Sequence, residues 1–196
     1  MSKIFYLMGK SSTGKDTIYK RINDKYPDML KSVVMYTTRP KRDGETDGVT
    51  YNFVTEDEYA GMQRDGLIIE ERAYNTVHGL WRYFTAKDKQ IDLEHFDYLI
   101  AGVLTSYVST REYFGKDVVL PIYVEVEDGV RLTRALEREK KPGNHKYAEM
   151  CRRFLSDTED FSEDKLKAAG IDRRFVNDDL EECIKKIESY IMDKIV

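Results

Sequence analysis

The segment that most constrains the fold is GKSSTGKDT, residues 9–17, which follows the apolar run KIFYLM and leads into a stretch with helical apolar spacing. Gly9, Gly14 and Lys15 match the G-x-x-x-x-G-K pattern of a phosphate-binding loop. Glycines here let backbone N–H groups curl around a phosphate, and the N-terminus of the following helix adds positive potential. The sequence therefore predicts a strand, a phosphate-binding loop and a helix at the start of the chain.

Asp16 is the irregular residue of this loop, because the usual pattern has Ser or Thr there. A carboxylate stabilises a helix N-terminus, which would make Asp16 a capping residue. Beside triphosphate oxygens it would be repelled unless a magnesium ion or its waters lay between them. Our hypothesis is that Thr17 contacts phosphate and that Asp16 meets magnesium through water. The protein residue next to the metal ion is expected to be Asp16 or Thr17.

Composition narrows the choice of ligand. The 196 residues carry a net charge of −4, which argues against a general nucleic-acid or membrane-surface binder. Local basic clusters suit a small anionic ligand instead.

No apolar run approaches the ~20 residues of a membrane span. The two cysteines lack metal-ligand spacing and are expected to be reduced, so we expect a cytoplasmic protein; its oligomeric state is open.

Strand and helix patterns alternate along most of the chain, which predicts a parallel sheet covered on both faces. A continuous strand is expected over residues 32–38 and a helix over 86–96, and LIIEERAYNTVHGLWRYFT reads as two strands joined around NTVHG. The region of about 37–95 is rich in short strands and turns. It is expected to be an insertion into a single domain whose core comprises residues 1–36 and 97–196.

A second cluster specifies the ligand further. In YTTRPKRDGETDGVTYNFV, Arg39 and Arg42 stand three residues apart and are followed by Tyr51. Two arginines at this spacing can converge on one phosphate with permanent charge and paired donors, and a tyrosine hydroxyl can add a third bond. The alternative interpretation is a solvated charged loop.

These segments together resemble the guanylate kinase family. TTRPKRDGETDGVTYNFV is similar to the family's monophosphate-binding segment, T-T-R-x-x-R-x-G-E-x-x-G-x-x-Y-x-F. FVNDDLEECIKKI resembles its V-N-D-D-L segment, and RALER with Arg153 resembles its lid arginines. The resemblance implies a three-layer αβα phosphate-loop fold, with 37–95 as the monophosphate-binding insertion and about 134–156 as a helical lid. It also implies ATP- and Mg²⁺-dependent phosphorylation of GMP or dGMP.

The resemblance also implies roles for individual residues. For the acceptor, Glu70, with Glu71 as the alternative, would pair with guanine. The predicted sites are: for ATP, Gly9, Ser11, Ser12, Thr13, Gly14, Lys15, Asp16, Thr17 and Asn177; for GMP, Arg39, Arg42, Tyr51, Glu70, Tyr83 and Thr85; and for catalysis, Lys15, Arg134, Arg138 and Arg153.

Two departures from the family pattern concern base recognition. Met35 stands where the family usually has a base-contacting Ser, and Ile100 and Gly102 stand at its usual aspartate positions. Either the glutamate carries selectivity alone, or Thr105 and Ser106 contribute. The alternative functions are a kinase for another nucleoside monophosphate and a non-catalytic, phospholigand-binding module of the same fold.

Overall fold

The structure, a computed structural model, describes residues 2–76, 79–143 and 145–195. Within these residues strands and helices alternate only in part, because several strands follow one another directly and three consecutive helices precede the last strand. The strands are β1 (Ile4–Met8), β2 (Leu30–Ser32), β3 (Tyr36–Thr37), β4 (Asn52–Phe53), β5 (Ile68–Thr76), β6 (Gly79–Ala86), β7 (Asp97–Gly102), β8 (Val119–Glu125) and β9 (Arg174–Val176). The helices are α1 (Lys15–Lys25), α2 (Glu56–Arg64), α3 (Leu104–Phe114), α4 (Asp128–Glu139), α5 (Tyr147–Asp160), α6 (Glu163–Ala168) and α7 (Leu180–Ile195).

The central sheet is parallel, with strand order β2-β7-β1-β8-β9. Side chains of β1 alternate between its two faces, as in any strand. Tyr6 and Met8 join the apolar cluster that includes residues of α3, whereas Phe5 and Leu7 join the cluster that includes residues of α1 and α7. The expected three-layer α/β fold with a parallel central sheet is therefore confirmed.

The second sheet has the order β4-β3-β6-β5 and is mixed, because β3 pairs with β4 in parallel and with β6 antiparallel. Helix α2 precedes β5 and begins with a capping box, in which the Thr55 hydroxyl accepts from Glu58 N and the Glu58 carboxylate accepts from Thr55 N. Val77 and His78, in the expected connection of β5 to β6, lie outside the described residues.

The prediction of one strand over residues 32–38 was wrong. The segment divides between the two sheets, because side chains satisfy the backbone of Val34 between β2 and β3. Gln90 Oε1 accepts from Val34 N at 2.9 Å, and Asn52 Nδ2 donates to Val34 O at 2.9 Å. Val34 thus needs no sheet partner.

The prediction of a helix over residues 86–96 was also wrong, since this stretch forms turns. Asp88 Oδ1 accepts from Gln90 N at 2.8 Å, and Asp92 Oδ1 accepts from Glu94 N at 3.0 Å. Such local bonds from aspartate to the backbone two residues ahead compete with helical hydrogen bonds.

Among the described residues, no helix is both long and apolar enough to cross a bilayer.

Candidate nucleotide site

The loop at residues 9–14 is shaped by close backbone packing at its two glycines. A Cβ on Gly9 would lie 2.6 Å from Val124 O. Gly14 has φ +87° and precedes α1, and a Cβ there would lie 2.6 Å from Asn177 Nδ2. That amide donates to Thr13 O at 2.7 Å, and Asn177 is only 3% exposed. Glycine at residues 9 and 14 is thus a steric requirement of this loop and not only a source of flexibility.

Arg131 of α4 supports the loop through its buried side chain. Its side chain is 1% exposed and donates to Ser11 O at 3.1 Å, while it pairs with Asp128 Oδ1 at 2.7 Å. Asp157 of α5 accepts from Ser11 N at 2.7 Å and lies 3.7 Å from the same guanidinium. The sequence analysis assigned no role to Arg131 or Asp157. The pairing of Arg131 with Asp128 could have been predicted, because the two residues are three positions apart on α4.

Lys15 and Asp16 stand side by side at the start of α1, with Lys15 Nζ 2.7 Å from Asp16 Oδ1. Asp16 is 86% exposed and, with Met35 and Tyr51, lines a cavity of about 630 Å³ between α1 and the second sheet. The described residues contain no group of three or more His, Cys, Asp or Glu side chains placed to hold a metal ion. The Asp16 carboxylate nevertheless fits Mg²⁺, which commonly takes one or two protein carboxylates and completes its shell with phosphate and water.

A second cavity, of about 370 Å³, opens on the other side of the loop. Its lining includes four of the predicted donor-site residues, Ser12, Gly14, Thr17 and Asn177, together with Arg134 of α4. Arg134 NH2 donates to Asn177 O at 3.2 Å. The structure therefore brings Arg134 to the loop, as a phosphate-contacting arginine would require.

The other two predicted lid arginines lie in more exposed positions. Arg138 is 49% exposed and its Nε is 3.3 Å from Glu139 Oε1. Arg153 is 57% exposed, and its Nε donates to Glu149 Oε1 within α5 at 2.8 Å. Neither lines the cavity beside Gly14.

Arg39 is the centre of the second cluster and is 4% exposed. Its guanidinium makes two bonds to the Glu45 carboxylate, of 2.7 and 2.5 Å, and lies 5.2 Å from the centre of the Tyr51 ring. The pKa of Glu45 is lowered to about 2, chiefly by the hydrogen bonds from Arg39 and next by the hydrogen bond from the backbone N–H of Arg42. The Tyr83 ring packs edge-on against Tyr51, with 5.7 Å between centres. Arg39, Tyr51 and Tyr83 therefore meet, and Glu45, which sequence reasoning left without a role, fixes the orientation of Arg39.

The two candidate base-binding glutamates have different surroundings. Glu70 is 4% exposed; its Oε1 accepts from the Thr85 hydroxyl at 3.0 Å, and its Oε2 has no hydrogen-bond partner. Glu71 is bound by Tyr59, whose hydroxyl donates to Oε2 at 2.5 Å, and by Arg82. Because structural partners occupy Glu71, Glu70 is the carboxylate with capacity for a ligand.

Tyr6 fills the space at the end of β7 where the resemblance leads one to expect an acid. A Cβ on Gly102 would overlap the Tyr6 hydroxyl and lie 2.8 Å from Tyr6 Cζ. Burial, and then the negative charge of Glu70, raise the pKa of Tyr6, so the phenol remains protonated. An aspartate at residue 102 would require Tyr6 to move.

Comparisons with known proteins agree with this arrangement. The family model described as "Guanylate kinase" matches residues 1–92. A guanylate kinase of Caldanaerobacter subterraneus subsp. tengcongensis is 27% identical over 96% of this chain and 86% of the relative. A guanylate kinase of Syntrophotalea carbinolica is 41% identical, over 39% of this chain and only 34% of the relative's length. The crystal structure of guanylate kinase from Anaplasma phagocytophilum shares the fold, with a TM-score of 0.63 and 19% identity over 98% of this chain and 86% of that one.

The parallel sheet, the loop at residues 9–14 and the cavities on either side of it define a phosphate-binding-loop protein of the three-layer α/β class. Within that class the chain is similar to guanylate kinases, through the family model that matches residues 1–92 and the relative that is 27% identical over most of its length.

Proposed function

We propose that the protein transfers the γ-phosphoryl group of ATP to GMP or dGMP, giving ADP and GDP or dGDP. The observation that carries this proposal is the cavity of about 630 Å³, because Asp16 at the start of α1 and Tyr51, which directly precedes β4, line the same space. A donor phosphate at the loop and an acceptor phosphate near Tyr51 would then face one another, as direct transfer requires.

The residues divide into two sets. On the donor side, the backbone of residues 9–14, Lys15 and Arg134 would hold the triphosphate, with Asn177 and Arg131 holding the loop itself. Arg138 and Arg153 would reach the transferring phosphate when α4 and α5 close as a lid. We assign the lid to about residues 134–156.

On the acceptor side, Arg39, Arg42, Tyr51 and Tyr83 would bind the monophosphate, and Glu70, held by Thr85, would bind guanine N1–H and N2–H. We assign this role to the insertion of about residues 37–95. The acceptor phosphate is already ionised, so no general base is required, and catalysis consists of alignment and charge neutralisation.

Magnesium would be held mainly by phosphate oxygens and water, with Asp16 or Thr17 on the protein side. When bound, it would neutralise charge that develops on the transferring oxygens.

The two cysteines form no disulfide, in agreement with a reducing, cytoplasmic location.

The test is a coupled ADP-release assay with GMP, dGMP, AMP, IMP, CMP and UMP as separate acceptors. We expect turnover with GMP and dGMP that exceeds turnover with AMP, CMP and UMP. Faster turnover with another monophosphate would replace the acceptor assignment. Nucleotide binding without turnover of any acceptor would refute the kinase and favour a non-catalytic binding module.

A further inference from the structure

We propose that Arg72 is a specificity-determining residue that reads the O6 and N7 edge of the acceptor base while Glu70 reads the N1 and N2 edge. The acceptor class selected is thus a 6-oxopurine nucleoside monophosphate. This inference rests on the proposed function and assigns to Arg72 a role for which the sequence motifs provide no signal.

Arg72 lies beside the base-binding carboxylate. The two residues are two positions apart on β5, so their side chains leave the same face of the strand. Arg72 Nε is 3.4 Å from Glu70 Oε2, and the side chains are 17% and 1% exposed. Both line a cavity of about 330 Å³ together with Thr105 and Ser106 of α3.

The pair has unused hydrogen-bonding capacity. Glu70 Oε2 and Arg72 Nε are both buried atoms without a hydrogen-bond partner, since their ion pair lacks hydrogen-bond geometry. Arg72 NH2 donates to Met35 Sδ at 3.4 Å, and a thioether is a weak acceptor. Buried polar groups in folded proteins normally have good partners, so an unsatisfied acceptor beside an unsatisfied donor marks a place for a ligand with the complementary pattern.

Guanine has that pattern on adjacent edges. Its N1–H and N2–H groups are two donors for a carboxylate, and its O6 and N7 are two acceptors for a guanidinium, the pairing by which arginine recognises guanine elsewhere. Adenine would set its amino donor against Arg72 and its unprotonated N1 against Glu70. The position of Arg72 against Met35 also explains how the pocket supplies a donor although Met35 stands where the resemblance predicts a base-contacting Ser.

The direct test compares GMP with 7-deaza-GMP, in which a C–H group replaces N7. For the unmodified protein we expect kcat/KM to fall by about 10-fold on this replacement, as for loss of one hydrogen bond of a bidentate arginine contact. Dissociation constants from calorimetry should show the same ratio without depending on turnover. Equal values for the two nucleotides would overturn the inference, and this arm needs no variant to fold.

Variants then assign the effect to a residue. Arg72→Met should weaken GMP and bring the ratio of GMP to 7-deaza-GMP close to one. Arg82→Met is the matched control, because Arg82 is also a strand arginine that pairs with a glutamate, Glu71, and lies opposite Ala73 in the hairpin. It should keep the ratio of the unmodified protein. If Arg72→Met weakens both nucleotides by the same factor, Arg72 only orients Glu70 and the inference is refuted.

Failure of the proposed function would look different. Preferential binding of GMP over 7-deaza-GMP with no phosphorylation of any acceptor would support the role of Arg72 while it refuted the kinase.

Discussion

The contact between Gly14 and Asn177 predicts a thermodynamic coupling that can be worked out from the structure. Gly14→Ala places a side chain at φ +87°, and the left-handed region costs an L-residue about 1–2 kcal/mol. The new Cβ would also lie 2.6 Å from Asn177 Nδ2, so the amide must move away from Thr13 O. Leaving a buried carbonyl without its donor costs about 1–3 kcal/mol. We therefore expect Gly14→Ala to lower the free energy of unfolding by about 2–5 kcal/mol.

Asn177→Ala removes the same hydrogen bond by another route and should cost about 1–3 kcal/mol. In the double variant this bond cannot be lost twice, and the truncated residue 177 leaves room for the Cβ. The double variant should therefore be more stable than the sum of the single effects predicts, by about 1–3 kcal/mol.

Urea unfolding of the four proteins measures this coupling, and thermal midpoints should follow at about 2–4 °C per kcal/mol for a chain of this size. In both single variants KM for ATP should rise more than KM for GMP, because the loop holds the donor. Additive effects within about 0.5 kcal/mol would show that Asn177 does not support the loop through Thr13.

Three further predictions concern the glutamates and the thiols. Glu70→Gln should raise KM for GMP by about 10-fold or more and leave KM for ATP unchanged, and equal effects on both KM values would refute the role of Glu70 in guanine binding. Glu71→Gln should chiefly lower the thermal midpoint. Glu45, with a folded pKa of about 2, stabilises the protein above its ordinary pKa near 4.5, and this contribution is lost as pH falls towards 2. The stability difference between the native protein and Glu45→Gln should accordingly be constant above about pH 5 and shrink in acid, whereas a constant difference down to pH 2.5 would contradict the Arg39 clamp. Burial raises the pKa of Cys183 to about 11, so Ellman's reagent should titrate only the exposed Cys151 in the native protein and both thiols in urea; rapid reaction of two native thiols would contradict that burial.

The sequence by itself determined the class of fold and the place of the phosphate-binding loop. Both depend on local patterns: an apolar run before Gly9, glycines at a fixed spacing and helical periodicity after Lys15. The capping box at Thr55 is a local feature of the same kind, because its partners are three residues apart. Sequence reasoning failed where side chains replaced regular backbone bonding, at Val34 and in the turns after Asp88.

Only the tertiary structure decided which polar groups are free to bind. Glu70 and Glu71 are neighbours with the same chemistry, yet Tyr59 and Arg82 occupy Glu71, whereas Glu70 Oε2 has no hydrogen-bond partner. The same is true of Arg131, which is buried beneath the loop, and of Tyr6, which fills the space beside Gly102. Such contacts join residues far apart in the chain, so no local pattern contains them, and they are set by how the sheets and helices pack.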